Sequence, residues 1–276
     1  MCSDGCIDKF YERGDRSVSR QKINRVIFYV AGLLILALGI ILNTKAGLGV
    51  SPIISVAYSI SQIRDWNFGN TTLGLYTVFV VLEVFMHTIK NMYGRKHGDA
   101  ALAQATKHSL KFILLMDFLQ IPLSIVFTRF MNLFVDFIPD FSPKGANTPL
   151  HFGLQIAVLA AALVCTGIGA AMSLNMRIVP NPGDGIVQAI ADCIHQSVGN
   201  TKNGFDLCNV AFTCCIGLIC RGKLIGIGVG TILSMICVGR VIAIFNRYAE
   251  EKMVRAAGVE NSQIYNCVGM IGQTSK

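Results

Sequence analysis

Six long apolar runs, separated by short polar stretches, constrain the fold of this chain more than any other feature. A helix needs about 20 apolar residues to cross roughly 30 Å of hydrocarbon. Only 14% of the 276 residues are charged, whereas about a quarter is usual in a soluble domain. The sequence therefore predicts an all-α polytopic membrane protein in the lipid bilayer. Its six transmembrane helices are expected near residues 23–43, 72–90, 110–134, 150–174, 205–220 and 224–246.

Two further apolar stretches, 52–62 and 182–196, are too short to span a membrane, and each begins after a break rich in glycine and proline. Irregular backbone is tolerated within a membrane only where protein or a water-filled cavity satisfies its polar groups. The two stretches are therefore predicted to be broken or re-entrant helices. The alternative is that they are short helices lying on the membrane surface.

The distribution of basic residues predicts the orientation. Lysines and arginines gather before the first span, in the loop of residues 90–111 and after the last span, which places these regions in the cytoplasm. We therefore expect a multi-pass protein of the cell membrane with both termini cytoplasmic. The predicted division is a cytoplasmic tail of residues 1–22, a membrane domain of residues 23–246 and a second cytoplasmic tail of residues 247–276.

The two halves of the membrane domain share short motifs in the same order. Three spans in each half would insert the second half upside down relative to the first. The sequence thus predicts an inverted repeat, with copies near residues 23–134 and 150–246, as in many transporters and channels. The recurring motifs are LNTK at 42–45 and LNMR at 174–177, Pro52 and Pro182, and GNTxxG at 69–74 and 199–204.

The second break carries a carboxylate that the first break lacks. Asp184 lies at the start of the short helix, where it is either an ordinary cap of exposed backbone N–H groups or a ligand of a polar solute or cation together with Asn181. Asn43 and Asn175 end the first span of each predicted copy. Each is either a helix cap or part of the same site.

Two carboxylates and a neighbouring amide lie well inside predicted spans: Glu83, Asp117 and Gln120. A charged side chain at the bilayer centre costs roughly 2.5 to 3.5 kcal/mol on insertion scales, so such groups usually pair or line a cavity. Asp117 and Gln120 share a helix face, and a polar cavity or proton relay is predicted around these residues. Three other charged residues are expected near the membrane interfaces: Asp206, Arg129 and Arg240. The candidate substrate-binding residues are therefore Asp184, Asn181, Asn175, Asn43, Glu83, Asp117 and Gln120.

Several classes of function are not expected from this sequence. It has no HExxH motif and no Ser/His/Asp or Cys/His arrangement, and its ten cysteines form no CxxC pair. We therefore predict that the protein is not an enzyme and has no catalytic residues, no cofactor and no metal ligands. No nucleic-acid partner is expected, because the basic residues lie between the spans as topology signals. The alternating glycines of residues 226–230 open an apolar span and are typical of close helix packing.

Three motifs together resemble one family. LNTKAGLGVSP in the first half, PGDG at residues 182–185 and RGKLIGIGVGT at residues 221–231 resemble the YczE/YitT-like family of bacterial integral membrane proteins, over about residues 25–246. The chain lacks the soluble C-terminal domain of the YitT branch, so the YczE-like branch is the closer match. The resemblance implies a bacterial cytoplasmic-membrane protein and supplies no substrate.

Two functions remain open at this point. The first is a small-solute or ion transporter or channel, with its site at the two breaks and Asp184 as the main contact. The second is a non-transporting accessory protein that binds and modulates a partner. In that case the basic loop of residues 90–111 would dock an acidic protein or anionic lipid.

Overall fold

A computed structural model describes residues 4–97, 100–141, 149–194, 196 and 198–259. Within these residues the chain is helical and contains no strand, which confirms the predicted all-α class. The helices are α1 (Asp4–Lys45), α2 (Pro52–Arg64), α3 (Phe68–His97), α4 (Ala100–Phe137), α5 (Pro149–Asn175), α6 (Pro182–Ile194), α7 (Val198–Arg221), α8 (Val229–Phe245) and α9 (Glu251–Ala256), with a π-helical turn, Asn246–Glu250, joining the last two.

Six of the described segments are long and apolar enough to cross a membrane, as predicted. The largest differences from the prediction are in the last two spans: the sixth extends to Ala256, ten residues beyond its predicted end, and the fifth begins earlier than predicted. The polar GNTxxG motif of residues 199–204 forms the first turns of α7 rather than a loop, so α7 begins seven residues before the predicted span. The six segments are Arg20–Lys45, Phe68–Ile89, Ile113–Phe137, Leu150–Asn175, Val198–Arg221 and Val229–Ala256.

Helices α1 and α5 form the centre of the bundle and run antiparallel to each other. Glycines allow their backbones to touch: a Cβ atom added at Gly39 would lie 2.5 Å from the backbone nitrogen of Thr166, and one at Gly169 would collide with the backbone of Leu36. Small residues permit this close approach between membrane helices. The α1–α5 pair thus provides a rigid frame for the two breaks that follow it.

The two short helices are packed inside the bundle, each against α3 and α7. The hydroxyl groups of Ser55 and Thr213 lie 2.7 Å apart, and Arg221 at the end of α7 donates a hydrogen bond to the carbonyl of Ile63. Helix α2 therefore runs parallel to α7, from the middle of that helix to its end. This course favours a re-entrant helix over one lying on the membrane surface.

The first break is held by the glycines that precede α8. The backbone N–H of Val50 donates to the carbonyl of Gly226, and the N–H of Gly230 donates to the carbonyl of Leu48. A side chain at Gly228 would collide with that Leu48 carbonyl. The alternating glycines therefore pack against a broken backbone rather than against another helix. The resulting hydrogen bonds satisfy polar groups that lipid cannot satisfy.

The second break is held by the start of the first span. The Arg25 guanidinium donates hydrogen bonds to the carbonyls of Met176 and Arg177, and the Tyr29 hydroxyl donates to the carbonyl of Val179. Arg177 has a φ of 49°, in the left-handed region where the chain turns out of α5. Thus both breaks are fixed by groups from the opposite half of the chain.

The C-terminal segment was predicted to be a tail, but its first part packs on the membrane domain. Met253, Ala257 and Val259 are buried beside Tyr29 and Met176. Residues 260–276 lie outside the described residues. So do the side chains of Arg95 and Lys96 in the predicted basic docking loop.

Candidate functional site

A cavity of about 600 Å³ lies where the starts of α2 and α6 meet. Ser51 and Pro52 line it from the first break, and Asn181 and Asp184 line it from the second. The first turns of α7 extend the lining to exposed positions such as Asn203. The remaining wall comes from the central helices, from α3 and from α8, through Leu36, Ile40, Tyr76, Thr166, Ala170, Ser234 and Arg240 among others.

The starts of the two short helices touch each other at this cavity. A Cβ atom added at Gly183 would lie 2.7 Å from the Cδ1 atom of Ile53. Each of these residues directly follows the proline that begins its helix. Glycine at position 183 therefore brings the N-termini of α2 and α6 together.

Three charged side chains are grouped on one wall of the cavity. The Lys202 ammonium lies 3.8 Å from the Asp184 carboxylate. Asp206, one turn further along α7, has Lys202 and Asp184 as charged neighbours. Asp206 is only 5% exposed, and its Oδ1 atom has no hydrogen-bond partner within the described residues. The wall thus presents two carboxylates, one ammonium group and one unused acceptor.

Asn181 and Asp184 have different roles at the start of α6. The carbonyl of Asn181 accepts hydrogen bonds from the backbone N–H groups of Asp184 and Gly185, and its side chain bonds the Tyr76 hydroxyl. Asn181 thus precedes the helix, and Asp184 is its third residue rather than its cap. Asp184 thus lies in the first turn of α6, where its carboxylate lines the cavity.

A second polar group lies behind α6, between α3 and α4. The Gln120 amide donates a 2.9 Å hydrogen bond to Oε1 of Glu83, and Nδ1 of His87 lies 2.9 Å from Oδ2 of Asp117. Glu83, Asp117 and Gln120 are at most 3% exposed. The structure therefore brings together the three residues that the sequence analysis had grouped. His87 is an additional member.

Gly185 connects this cluster to α6. A Cβ atom at Gly185 would lie 2.6 Å from Oε2 of Glu83, so the α6 backbone rests directly on the carboxylate. The two glycines of the PGDG motif therefore have separate contacts, one with Ile53 and one with Glu83, while Asp184 between them lines the cavity.

A family model matches residues 23–96 and 100–247 of the chain. The chain belongs to DUF6198, a family of unknown function. This match gives no support to the specific YczE/YitT-like assignment, which stays a prediction. No curated protein and no solved structure matches the chain. Function in this DUF6198 protein must therefore be argued from its own residues.

Asn43 and Asn175 lie outside the lining of the cavity of the DUF6198 chain. The Asn43 amide donates to the Ser234 hydroxyl, and the Asn175 amide donates to Oδ1 of Asn246, each at 2.9 Å. Both asparagines thus tie the end of a span to α8 or to the turn after it. Their role in substrate binding stays a prediction.

Lys202 and Tyr76 were not predicted from the sequence as site residues, and Asp206 was predicted to lie near an interface. The reason is the start of α7: with a span beginning at residue 205, Asp206 looks terminal, whereas a helix from Val198 places it two turns inside. His87 was also missed. Its spacing from Glu83 could have identified His87 as a member of the cluster, because residues four apart share a helix face.

Proposed function

We propose that this DUF6198 protein is a membrane transporter of a small polar solute, with its site in the cavity between the starts of α2 and α6. The observation that carries this proposal is the meeting of two re-entrant helix N-termini at a cavity that also contains Asp184, Lys202 and Asp206. Interrupted helices that meet near the membrane midplane form the substrate sites of many transporters.

The chemistry of the wall supports a solute with both donor and acceptor groups. Asp184 and Asp206 accept hydrogen bonds and favour an ammonium, amide or hydroxyl group. Lys202 and the N-termini of the two short helices favour an acceptor or a negative charge. A volume of about 600 Å³ is within the range of roughly 300 to 1,000 Å³ that is usual for small-molecule sites.

Contacts between the halves support the proposed inverted repeat. In such a repeat only positions near the two-fold axis contact their own equivalents. Ile53 and Gly183, which follow the matching prolines, contact each other in this way. Ser55 facing Thr213 corresponds to Gly185 facing Glu83, since both pairs have the same spacing from the repeated motifs. The helices show the same crossed pairing. Helix α2 of the first half packs on α7 of the second, and α6 of the second half packs on α3 of the first.

The two halves differ in a way that supports alternating access. Gln120 and Asp117 of α4 bridge to Glu83 and His87 of α3 and close that helix pair. The corresponding pair, α7 and α8, is separated by the cavity, with Asp206 on one side and Arg240 on the other. We infer that the α3–α4 pair and the α7–α8 pair alternate between the closed and the separated arrangement, and that this change moves the solute across the membrane.

The test is a thermal-shift screen of the purified full-length protein in detergent against small amines, amino acids, amides and sugars. A solute at about 100 times its dissociation constant raises the free energy of unfolding by about 2.7 kcal/mol. We expect at least one solute to raise Tm in the wild type and to lose this effect in Asp206→Asn.

The matched control is Asp140→Asn, the same chemical change at a carboxylate that is 72% exposed and paired with Lys45 away from the cavity. This variant should keep the shift. No shift with any solute, in wild-type protein that unfolds cooperatively, would contradict a solute site and favour the accessory-protein alternative.

A further inference from the structure

We infer that Glu83, His87 and Asp117 bind one divalent transition-metal ion, with Gln120 beside it. The inference is independent of the proposed transport function, because these residues lie between α3 and α4 and do not line the cavity. No metal ligands were predicted from the sequence; the three residues come from two helices and show no familiar ligand motif.

The geometry of the three side chains suits a single ion. One ligand atom from each residue lies within 4.8 Å of the other two. The 2.9 Å separation of His87 Nδ1 and Asp117 Oδ2 is close to the spacing of adjacent ligands around an ion with bonds of about 2.1 Å. We expect Glu83 to move toward the other two ligands when the ion binds.

Two buried oxygen atoms of the cluster are not used by the protein. Oε2 of Glu83 and Oε1 of Gln120 have no hydrogen-bond partner within the described residues, although Glu83 is 3% exposed and Gln120 is fully buried. Buried acceptors without a partner are costly and rare in native proteins. A metal ion would satisfy the Glu83 oxygen directly, and an ion-bound water would satisfy the Gln120 oxygen.

The charge of the cluster also favours a divalent cation. Two carboxyl groups buried between membrane helices are costly to ionise unless a cation or bound protons neutralise them. A divalent ion with a neutral imidazole makes the group electrically neutral. An imidazole nitrogen beside carboxylate oxygens favours ions such as Mn²⁺, Fe²⁺ and Zn²⁺ over Ca²⁺ and Mg²⁺, which prefer oxygen ligands alone.

On its α6 side the cluster meets a glycine and a further carboxylate. Gly185 brings the α6 backbone against Oε2 of Glu83 and contributes no side chain that could neutralise this carboxylate. Asp192, also on α6, is a further negative charge near His87. Both features favour a positive ion over an additional protein side chain.

The test uses the full-length protein in detergent, stripped of metal with a chelator and then titrated with Mn²⁺ or Zn²⁺. We expect one equivalent of metal per chain by elemental analysis. His87→Gln and Asp117→Asn should each weaken binding by more than about 10-fold, since loss of even an outer partner of a metal ligand costs about 10- to 100-fold. His151→Gln, at the start of α5, is the matched control and should bind as the wild type does.

A spectroscopic measurement on the wild type keeps the test valid if a variant fails to fold. Pulsed electron paramagnetic resonance of the Mn²⁺ form should show coupling to one histidine nitrogen. Absence of stoichiometric metal in the wild type, bound Mn²⁺ without nitrogen coupling, or unchanged binding in folded His87→Gln would each overturn the inference. In those cases protons rather than a metal ion neutralise the carboxylates.

Discussion

At the residue scale, the smallest side chains decide how close the polar groups come. Gly183 brings the two short helices together, and Gly185 lets α6 rest on Glu83. The sequence predicted Asp184 as the important residue of the PGDG motif. It could not predict the contacts of the flanking glycines, because these depend on which helix faces each one.

A substitution at Gly185 tests this arrangement. In Gly185→Ala the new methyl group would lie 2.6 Å from Glu83 Oε2 and 3.1 Å from Gln120 Nε2, so the Gln120–Glu83 hydrogen bond has to shift. Overpacking of this kind costs about 1 to 3 kcal/mol. We expect a corresponding fall in the free energy of unfolding, measured by denaturant titration in detergent.

The control is Gly204→Ala, because a Cβ atom at that helical glycine would meet no atom within 4 Å. Its free energy of unfolding should change by no more than about 0.5 kcal/mol, or rise slightly through the better helix propensity of alanine. Equal losses in the two variants would show that Gly185 has no special contact.

At the element scale, hydropathy predicts the spans well but not where a polar helix begins. The core of each of the six spans is found where predicted. The first turns of α7 were missed because GNTKNG reads as a loop, although at this position its polar side chains line a cavity instead of facing lipid. Three site residues, Lys202, Asn203 and Asp206, were misjudged through this one boundary.

The attachment of the first break to the glycines before α8 is testable at the same scale. Gly228 has an extended backbone, with a φ of −162°, so another residue can adopt its conformation. In Gly228→Ala the methyl group would collide with the Leu48 carbonyl and separate the hydrogen-bonded segments. Two lost backbone hydrogen bonds, at about 0.5 to 1.5 kcal/mol each, predict a loss of about 1 to 3 kcal/mol in unfolding free energy.

Gly153→Ala is a suitable comparison for this variant, because it lies in α5 with no atom within 4 Å of the added Cβ. Thermal unfolding in detergent measures both. If Gly228→Ala unfolds at the wild-type Tm, the break is not held by these contacts.

At the whole-molecule scale, the repeated motifs predicted where the chain breaks but not the difference between the halves. Glu83, Asp117 and Gln120 could be grouped from the cost of burying polar groups in a membrane. The hydrogen bonds by which these residues join α3 to α4 could not be predicted in this way. The cavity between the corresponding helices α7 and α8 could not be predicted either. Equivalent positions hold different residues: Glu83 accepts a hydrogen bond from Gln120 in one half, whereas Thr213 contacts Ser55 in the other.

The most direct test of the central claim is whether water reaches the cavity within the membrane. Asn203→Cys and Ser55→Cys are made in a variant without the ten native cysteines and treated in membrane vesicles with a water-soluble maleimide. Asn203 is exposed at the cavity, whereas Ser55 is fully buried against Thr213. The account predicts rapid labelling of Asn203→Cys from the side of the α7 start and no labelling of Ser55→Cys. An unreactive Asn203→Cys from both sides of the membrane would contradict a solute pathway through this cavity.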